Sequence, residues 1–142
     1  MTMFGRKTRV LILDDRGPVL ERLQSRFDVF WPPEIPVKTL AMYCAWGNEA
    51  IEAIKEIQPD ILVLNHVFRK DEGAAREVTQ WIDQKYPAPL IVAVHSDEPE
   101  DDVRRFFAGA ACVKFFICGE RVRDFIEYCL SKRTADGIYV DR

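Results

Sequence analysis

Short apolar runs that end in polar side chains are the feature that most restricts the fold of this chain. One run covers residues 10–13 and is followed directly by Asp14 and Asp15. Another covers residues 61–64 and ends at Asn65. Consecutive Val, Leu and Ile residues without polar alternation are typical of strands that are covered on both faces. The two runs therefore predict central strands whose polar ends lie at one edge of a sheet.

Helical patterns alternate with apolar runs along the whole chain. The strands are predicted at residues 9–14, 38–45, 61–65, 90–94 and 112–117. The helices are predicted at residues 18–29, from Gly47 onward, at 72–86, from the acid-rich start at Glu98 to Ala108, and at about 120–132. This alternation predicts an α/β fold with one doubly wound, five-stranded parallel sheet and helices on both faces.

One domain accounts for most of the 142 residues. We predict an N-terminal arm at 1–8, a domain at 9–132 and a C-terminal tail at 133–142. The proline-bearing segment 30–36 cannot continue the first helix, because proline lacks the backbone N–H and fixes φ.

Charge and hydropathy exclude several classes of partner. The net charge of −3, from 20 basic and 23 acidic residues, argues against broad binding to nucleic acid. The apolar stretches are too short to span a membrane, and the N-terminus lacks the apolar core of a signal peptide. No pair of the four cysteines is spaced as CxxC, which favours free thiols in a reducing compartment. We expect a cytoplasmic protein.

The ordered motifs resemble the receiver domain of two-component response regulators, from about Arg9 to Leu130. The resemblance is carried by four segments and one glycine, namely Val10-Leu11-Ile12-Leu13-Asp14-Asp15, Gly47-Asn48-Glu49-Ala50-Ile51, Pro59-Asp60-Ile61-Leu62-Val63-Leu64, Ala108-Gly109-Ala110 and Gly73. The resemblance implies the (βα)5 flavodoxin-like topology of receiver domains and a role in phosphorelay signal transduction. Asp15 and Asn65 are 50 positions apart, several more than is usual in the family, so the resemblance also implies that segment 30–36 is an insertion. The insertion would lie at the sheet edge away from the polar strand ends.

The same resemblance assigns roles to the polar strand ends. Asp14 and Asp15 match the acidic pair that holds Mg²⁺ in the family, and the backbone carbonyl of Val67 matches a further ligand. The phospho-accepting aspartate matches Asn65, whose amide is not a nucleophile. We therefore expect no cofactor, or weak Mg²⁺ at a vestigial site.

Two switch positions of the family are also replaced. The hydroxyl residue at the end of strand four matches Val94 by spacing, or Ser96 if the register shifts. The lysine of strand five matches Phe116, with Lys114 two residues earlier. These replacements indicate a natural pseudo-receiver, although an engineered aspartate-to-asparagine change at position 65 is the alternative.

The fourth helix suggests a partner surface. Val103 and Phe106 are assigned to its inward stripe, so Phe107 is predicted to point outward, near Phe115 or Phe116. In the family, the helix 4–strand 5–helix 5 face carries dimerisation and output contacts. We therefore predict a protein partner or a homodimer at a face that includes Phe107 and Phe115. The alternative is that the last helix covers half of Phe107.

The first functional hypothesis is a stand-alone pseudo-receiver that acts by protein–protein interaction and is not an enzyme. The second is a flavin or nucleotide protein on a flavodoxin-like fold, although Arg16-Gly17-Pro18 is too sparse for a phosphate loop. An enzyme is the third, but its candidate polar residues do not assemble into a nucleophile, a base and an orienting group. Those candidates are Asp14, Asp15, His66, His95 and Ser96.

Overall fold

The computed structural model of the protein describes residues 8–30, 37–118, 121, 122, 124, 125, 133, 134, 137 and 138. Its strands are Thr8–Asp14 (β1), Val37–Tyr43 (β2), Ile61–Asn65 (β3), Ile91–Ser96 (β4), Val113–Cys118 (β5), Arg133–Thr134 (β6) and Gly137–Ile138 (β7). Its helices are Gly17–Phe30 (α1), Gly47–Ile57 (α2), Ala74–Lys85 (α3) and Glu100–Phe106 (α4). The alternation predicted from the sequence is confirmed.

The first five strands form one parallel sheet in the order β2-β1-β3-β4-β5. Side chains alternate across the sheet and build one apolar cluster on each face. Leu11 and Leu13 of β1 pack in the cluster that also includes residues of α2, α3 and α4. Val10 and Ile12 pack on the opposite face with residues of α1 and with Phe125. The predicted α/β class and flavodoxin-like order are therefore correct.

Two loops at the carboxyl ends of the strands are tied together by side chains. The Gly47 N–H, at the start of α2, donates to Asp71 Oδ2 in the β3–α3 connection at 2.9 Å. Glu49 Oε1 accepts hydrogen bonds from the N–H groups of Ala45 and Trp46, at 3.0 and 3.1 Å. The bond from Gly47 to Asp71 holds the two loops together, and all three bonds satisfy N–H donors at or just before the start of α2, where the helix supplies no partner.

The prediction that Phe107 points outward is wrong. Phe107 is only 4% exposed and lies in the apolar cluster with Val103, whereas Phe106 is half-buried. The Phe107 N–H donates to the Val103 carbonyl at 3.1 Å, so these residues are one turn apart and share a face. The inward stripe of α4 therefore runs from Val103 to Phe107. The predicted partner face loses one of its two named aromatic residues.

The chain ends are only partly described. Val122, Asp124 and Phe125 are helical, and the other residues of the helix predicted at 120–132 lie outside the described residues. The same holds for residues 1–7 of the predicted arm and for 31–36 of the predicted insertion. Within the predicted tail, β6 and β7 form an antiparallel pair. No helix in the described part of the chain is long and apolar enough to cross a membrane.

Candidate functional site

Buried polar side chains meet at the carboxyl edge of three neighbouring strands. Asp14 ends β1 and Asp15 follows it, Asn65 ends β3, and Ser96 ends β4. All four are buried, although the strands around them are apolar. Buried polar groups need hydrogen-bond partners. Two arginines that follow β1 and β3, Arg16 and Arg69, provide them for the two carboxylates.

Arg16 pairs with Asp14 through a two-point contact. Its Nη2 lies 2.8 Å from Asp14 Oδ2, and its Nε lies 3.0 Å from Asp14 Oδ1. The Arg16 backbone N–H also donates to Asp14 Oδ1 at 3.0 Å. The hydrogen bond to Asp14 raises the pKa of Arg16 above its ordinary value, against the opposing effect of burial. A bidentate guanidinium–carboxylate pair of this kind fixes angle as well as distance.

The same guanidinium spans the edge of the sheet. Arg16 Nη2 lies 3.3 Å from Asn65 Oδ1, and Nη1 lies 3.4 Å from Asp97 Oδ2 in the β4–α4 connection. One side chain thus joins β1, β3 and the end of β4. Only 31% of it is exposed. Its position at the centre of the polar cluster fixes the spacing of the three strand ends.

Asp15 is paired with a second arginine. The Arg69 backbone N–H donates to Asp15 Oδ2 at 2.8 Å, and Arg69 Nε lies 3.4 Å from the same oxygen. Arg69 Nη2 donates to the Asp15 carbonyl at 3.2 Å. The other carboxylate oxygen accepts from Asn65 Nδ2 at 3.4 Å. We name the cluster of Asp14, Asp15, Arg16, Asn65 and Arg69 the edge pocket.

Asn65 uses both ends of its amide. Its Oδ1 faces the Arg16 guanidinium, while its Nδ2 donates to Asp15 and to the Val67 carbonyl. The surroundings therefore present one donor and two acceptors, which is the pattern an amide satisfies and a carboxylate does not. Asparagine fits this position by hydrogen bonding as well as by shape.

The oxygens do not fit a divalent cation. Mg²⁺ requires several oxygen ligands in octahedral geometry. In the edge pocket, the carboxylates of Asp14 and Asp15 and the Val67 carbonyl all accept hydrogen bonds from nitrogen donors. Among the described residues, no group of three or more His, Cys, Asp or Glu side chains could hold a metal ion. The donor set is thus arranged for N–H groups.

The two candidate positions for the hydroxyl residue lie in different surroundings. Val94 pairs with Leu64 and is fully buried in the apolar cluster, so it cannot reach the edge pocket. Ser96 lies at the end of β4, where its Oγ is 3.1 Å from His66 Nδ1 and accepts from the Glu98 N–H at 3.0 Å. The serine contacts a histidine here. Burial lowers the pKa of His66, so the neutral ring is favoured.

Neither candidate on β5 brings an ammonium group to the edge pocket. Val113 pairs with Val92 and Phe115 pairs with Ala93, so Lys114 falls in a β-bulge. The lysine is exposed and lies four residues before Cys118, which pairs with Ser96 at the edge. At about 3.3 Å per residue, that separation is roughly 13 Å. Phe116 is half-buried, with the Arg104 guanidinium 4.5 Å from its ring centroid.

The residues of the predicted partner face have different environments. Phe115 packs on the α1 side of the sheet, with its ring centroid 4.9 Å from that of Phe125. On the opposite side, Phe116 lies under Arg104, and Phe106 lies under Arg76 with 4.1 Å between guanidinium and ring centroid. The half-buried aromatic rings near α4 are therefore those of Phe106 and Phe116.

Reasoning from the sequence did not identify Arg16 or Arg69 as site residues. The signal for Arg16 was its place directly after the acidic pair, where a short loop can fold its side chain back over the carboxylates. Arg69 carries no comparable signal, because it lies 54 positions from Asp15 in sequence. Only the crossing from β1 to β3 brings these two residues together.

Solved structures resemble this one, although no protein-family profile matches the chain. The RcsB response regulator of Salmonella typhimurium matches with a TM-score of 0.66 and 11% identity, over 96% of this chain and 64% of RcsB. The signal receiver domain of an HD domain-containing protein from Pseudomonas fluorescens Pf-5 gives 0.67 and 13%, over 89% and 93% of the two chains. The chain has the receiver-domain fold.

A third match is the phosphorylated cyanobacterial phytochrome response regulator RcpA, with a TM-score of 0.60 and 15% identity over 86% of this chain and 88% of RcpA. At these identities, the likeness establishes the fold alone. Within the receiver-domain fold, Asn65 ends β3, the position that the sequence resemblance assigns to the phospho-accepting aspartate. The edge pocket therefore lies where a receiver domain is expected to carry its phosphorylation site.

Proposed function

We propose that this protein is a cytoplasmic signalling module of the receiver type that works without aspartyl phosphorylation and is not an enzyme. One observation carries the proposal. Asn65 stands at the acceptor position, and its amide is bonded to Arg16, Asp15 and the Val67 carbonyl. The side chain is thus a structural link between β1 and β3 and has no carboxylate to offer.

The chemistry of the acceptor supports this proposal. Aspartyl phosphorylation requires a carboxylate oxygen that attacks phosphorus and forms an acyl phosphate, and an amide oxygen is too weak a nucleophile for that step. The nearby hydroxyl of Ser96 lies against His66 and accepts from the Glu98 N–H. No positively charged group is free to receive a phosphoryl group within the edge pocket, because Arg16 and Arg69 both face carboxylates.

The output of such a module is contact with another protein. We propose that a protein partner, or a second copy of the chain, binds the face formed by α4 and β5 together with the last helix. The face offers half-buried Phe106 and Phe116, each covered by an arginine. Aromatic residues and arginine are the side chains that most often dominate binding energy at interfaces. Phe107 is excluded from this role by its burial.

The phosphorylation claim is tested by intact-mass measurement after incubation of the protein with acetyl phosphate and Mg²⁺. We expect no gain of a phosphoryl group. A receiver domain with an intact acceptor aspartate, treated in the same way, is the positive control. A stable phosphoryl adduct located at the edge pocket would overturn the proposed function.

A further inference from the structure

Each of the two buried carboxylates of the edge pocket is paired with a cationic side chain of the chain itself. Asp14 and Asp15 contribute two negative charges, and Arg16 and Arg69 contribute two positive charges at salt-bridge distances of 2.8 and 3.4 Å. Two adjacent buried carboxylates with no counter-charge would be strongly unfavourable. A receiver-type site balances its acids with a divalent cation, whereas this chain carries the counter-charge in its own side chains.

The two arginines do not contribute equally. The Arg69 side chain is 73% exposed, and its strongest contact with Asp15 is made by its backbone N–H at 2.8 Å. Arg16 is 31% exposed and directs three guanidinium nitrogens at Asp14, Asn65 and Asp97. The central cation of the edge pocket is therefore the guanidinium of Arg16.

A divalent cation and this guanidinium compete for the same oxygens. A metal ion that took Asp14 would have to displace Arg16 from both carboxylate oxygens, and two like charges would then be close together in a partly buried site. The Val67 carbonyl is held as well, by Asn65 Nδ2. We infer that Arg16 takes the place of the divalent metal, and that it holds the edge pocket in one arrangement whatever the Mg²⁺ concentration.

This inference goes beyond the proposed function. The loss of the acceptor carboxylate at Asn65 would by itself leave the acidic pair free to bind metal. The two claims can therefore fail separately. A phosphoryl adduct would overturn the proposed function, whereas the inference about Arg16 depends on metal binding alone.

The experiment is a titration of Mn²⁺ and Mg²⁺ into the full chain, in which calorimetry measures binding and thermal melts measure stability. The variants are wild type, Arg16→Ala and Arg16→Lys. Arg104→Ala is the matched control, since Arg104 is also paired with a carboxylate but lies on the exposed surface of α4. NaCl at equal ionic strength separates specific binding from screening.

We expect no saturable binding to wild type, to Arg16→Lys or to Arg104→Ala. Arg16→Ala should melt at a lower temperature, and divalent cations should raise that temperature again by binding the vacated carboxylates. Arg16→Ala should bind Mn²⁺ in a saturable manner, at least about tenfold more tightly than any residual binding to wild type, and Asp15→Asn in the Arg16→Ala background should abolish the gain.

Either of two results would overturn the inference. Wild type could bind Mn²⁺ as tightly as Arg16→Ala, in which case the guanidinium does not exclude the metal. Arg16→Ala could also fold and gain no Mn²⁺ binding, in which case the guanidinium is not the group that replaces the metal. If Arg16→Ala does not fold, Arg16→Gln, which keeps a polar side chain without the charge, takes its place in the same titration.

Discussion

Arginine side chains are used in opposite ways in two regions of this protein. In the edge pocket, Arg16 makes a two-point contact with the carboxylate of Asp14, and the group is largely withdrawn from solvent. On α4, the Arg104 side chain is 55% exposed, pairs with Glu100, and lies over the ring of Phe116. The first arrangement fixes geometry, whereas a cation over an aromatic ring tolerates many orientations.

This difference indicates where the protein can respond to a partner. Every oxygen of the two carboxylates in the edge pocket already has a donor, so a new ligand gains little unless it first breaks existing bonds. Near α4, the half-buried rings of Phe106 and Phe116 can lose further exposed area on binding. Substitutions in the edge pocket should therefore change stability, while those at α4 and β5 should change association.

The largest effect is expected at Phe107, which lies at the end of α4 and packs in the apolar cluster beneath it. Phe107→Ala removes a ring from the apolar cluster and should lower the free energy of unfolding by about 3–5 kcal/mol.

Phe116→Ala removes a half-buried ring, so it should lower the free energy of unfolding by less. It should also weaken any complex at the α4 and β5 face by about 1 kcal/mol or more. Urea unfolding and sedimentation of both variants measure the two quantities.

Equal unfolding free energies for Phe107→Ala and wild type would contradict the burial of this ring. Unchanged association of Phe116→Ala with an unchanged melt would move the search to another surface. The exposed side chains of Tyr43, Trp46 and Val67, all at the carboxyl edge of the sheet, would then be the next to test.

Asn65→Asp tests how closely the edge pocket is adapted to an amide. The substitution removes both N–H donors of Nδ2 and directs a new carboxylate oxygen at Asp15 and at the Val67 carbonyl. We expect a loss of about 1–3 kcal/mol in unfolding free energy. Chemical denaturation at low and high salt measures it. Asn65→Ala, which removes the donors but adds no charge, is the control and should respond less to salt.

A stability of Asn65→Asp equal to or above that of wild type would mean that the edge pocket still accommodates a carboxylate. The hydrogen-bonding groups around position 65 would then not favour asparagine over aspartate. It would also favour the alternative in which the asparagine replaced an aspartate without further change in its surroundings.

The fold could be predicted because its strands are buried on both faces. Residues 61–65 were predicted as a strand from their composition alone, and Ile61–Asn65 is the strand observed. The sequence did not determine which face of α4 packs against the sheet. The helix has seven residues, and both Phe106 and Phe107 are spaced to share a face with Val103, at three and four residues from it. The sequence alone does not select between them. The contact with the sheet selects Phe107.

The edge pocket was predicted only in part. Parallel strands bring their carboxyl ends to one edge, so the meeting of Asp14, Asp15 and Asn65 follows from the strand pattern. The strand pattern does not predict which donors bond to these side chains, since Arg69 reaches Asp15 from the connection that follows β3. The position of Lys114 depends on one bulged residue in β5, and a bulge leaves no reliable mark in a short apolar run.

The smallest effect is expected at His66, which lies between the two regions. Its Nδ1 is 3.1 Å from Ser96 Oγ, and its ring contacts those of Phe106 and Phe107. Burial lowers its pKa from the ordinary value of 6.5, and the charge of Glu98 opposes this shift only partly. Between the lowered value and 6.5, the unfolded chain binds more protons at this residue than the folded chain does. The contribution of His66 to stability is therefore complete above pH 6.5 and falls as the pH drops below that value.

The substitution His66→Gln keeps an acceptor for Ser96 and removes the titration. Unfolding by urea at about pH 7.5 and about pH 5.5 should show a smaller loss for this variant than for wild type. Because the two proteins differ at this residue alone, the difference between their losses isolates His66. Identical losses in the two proteins would mean that protonation of this ring is not coupled to folding.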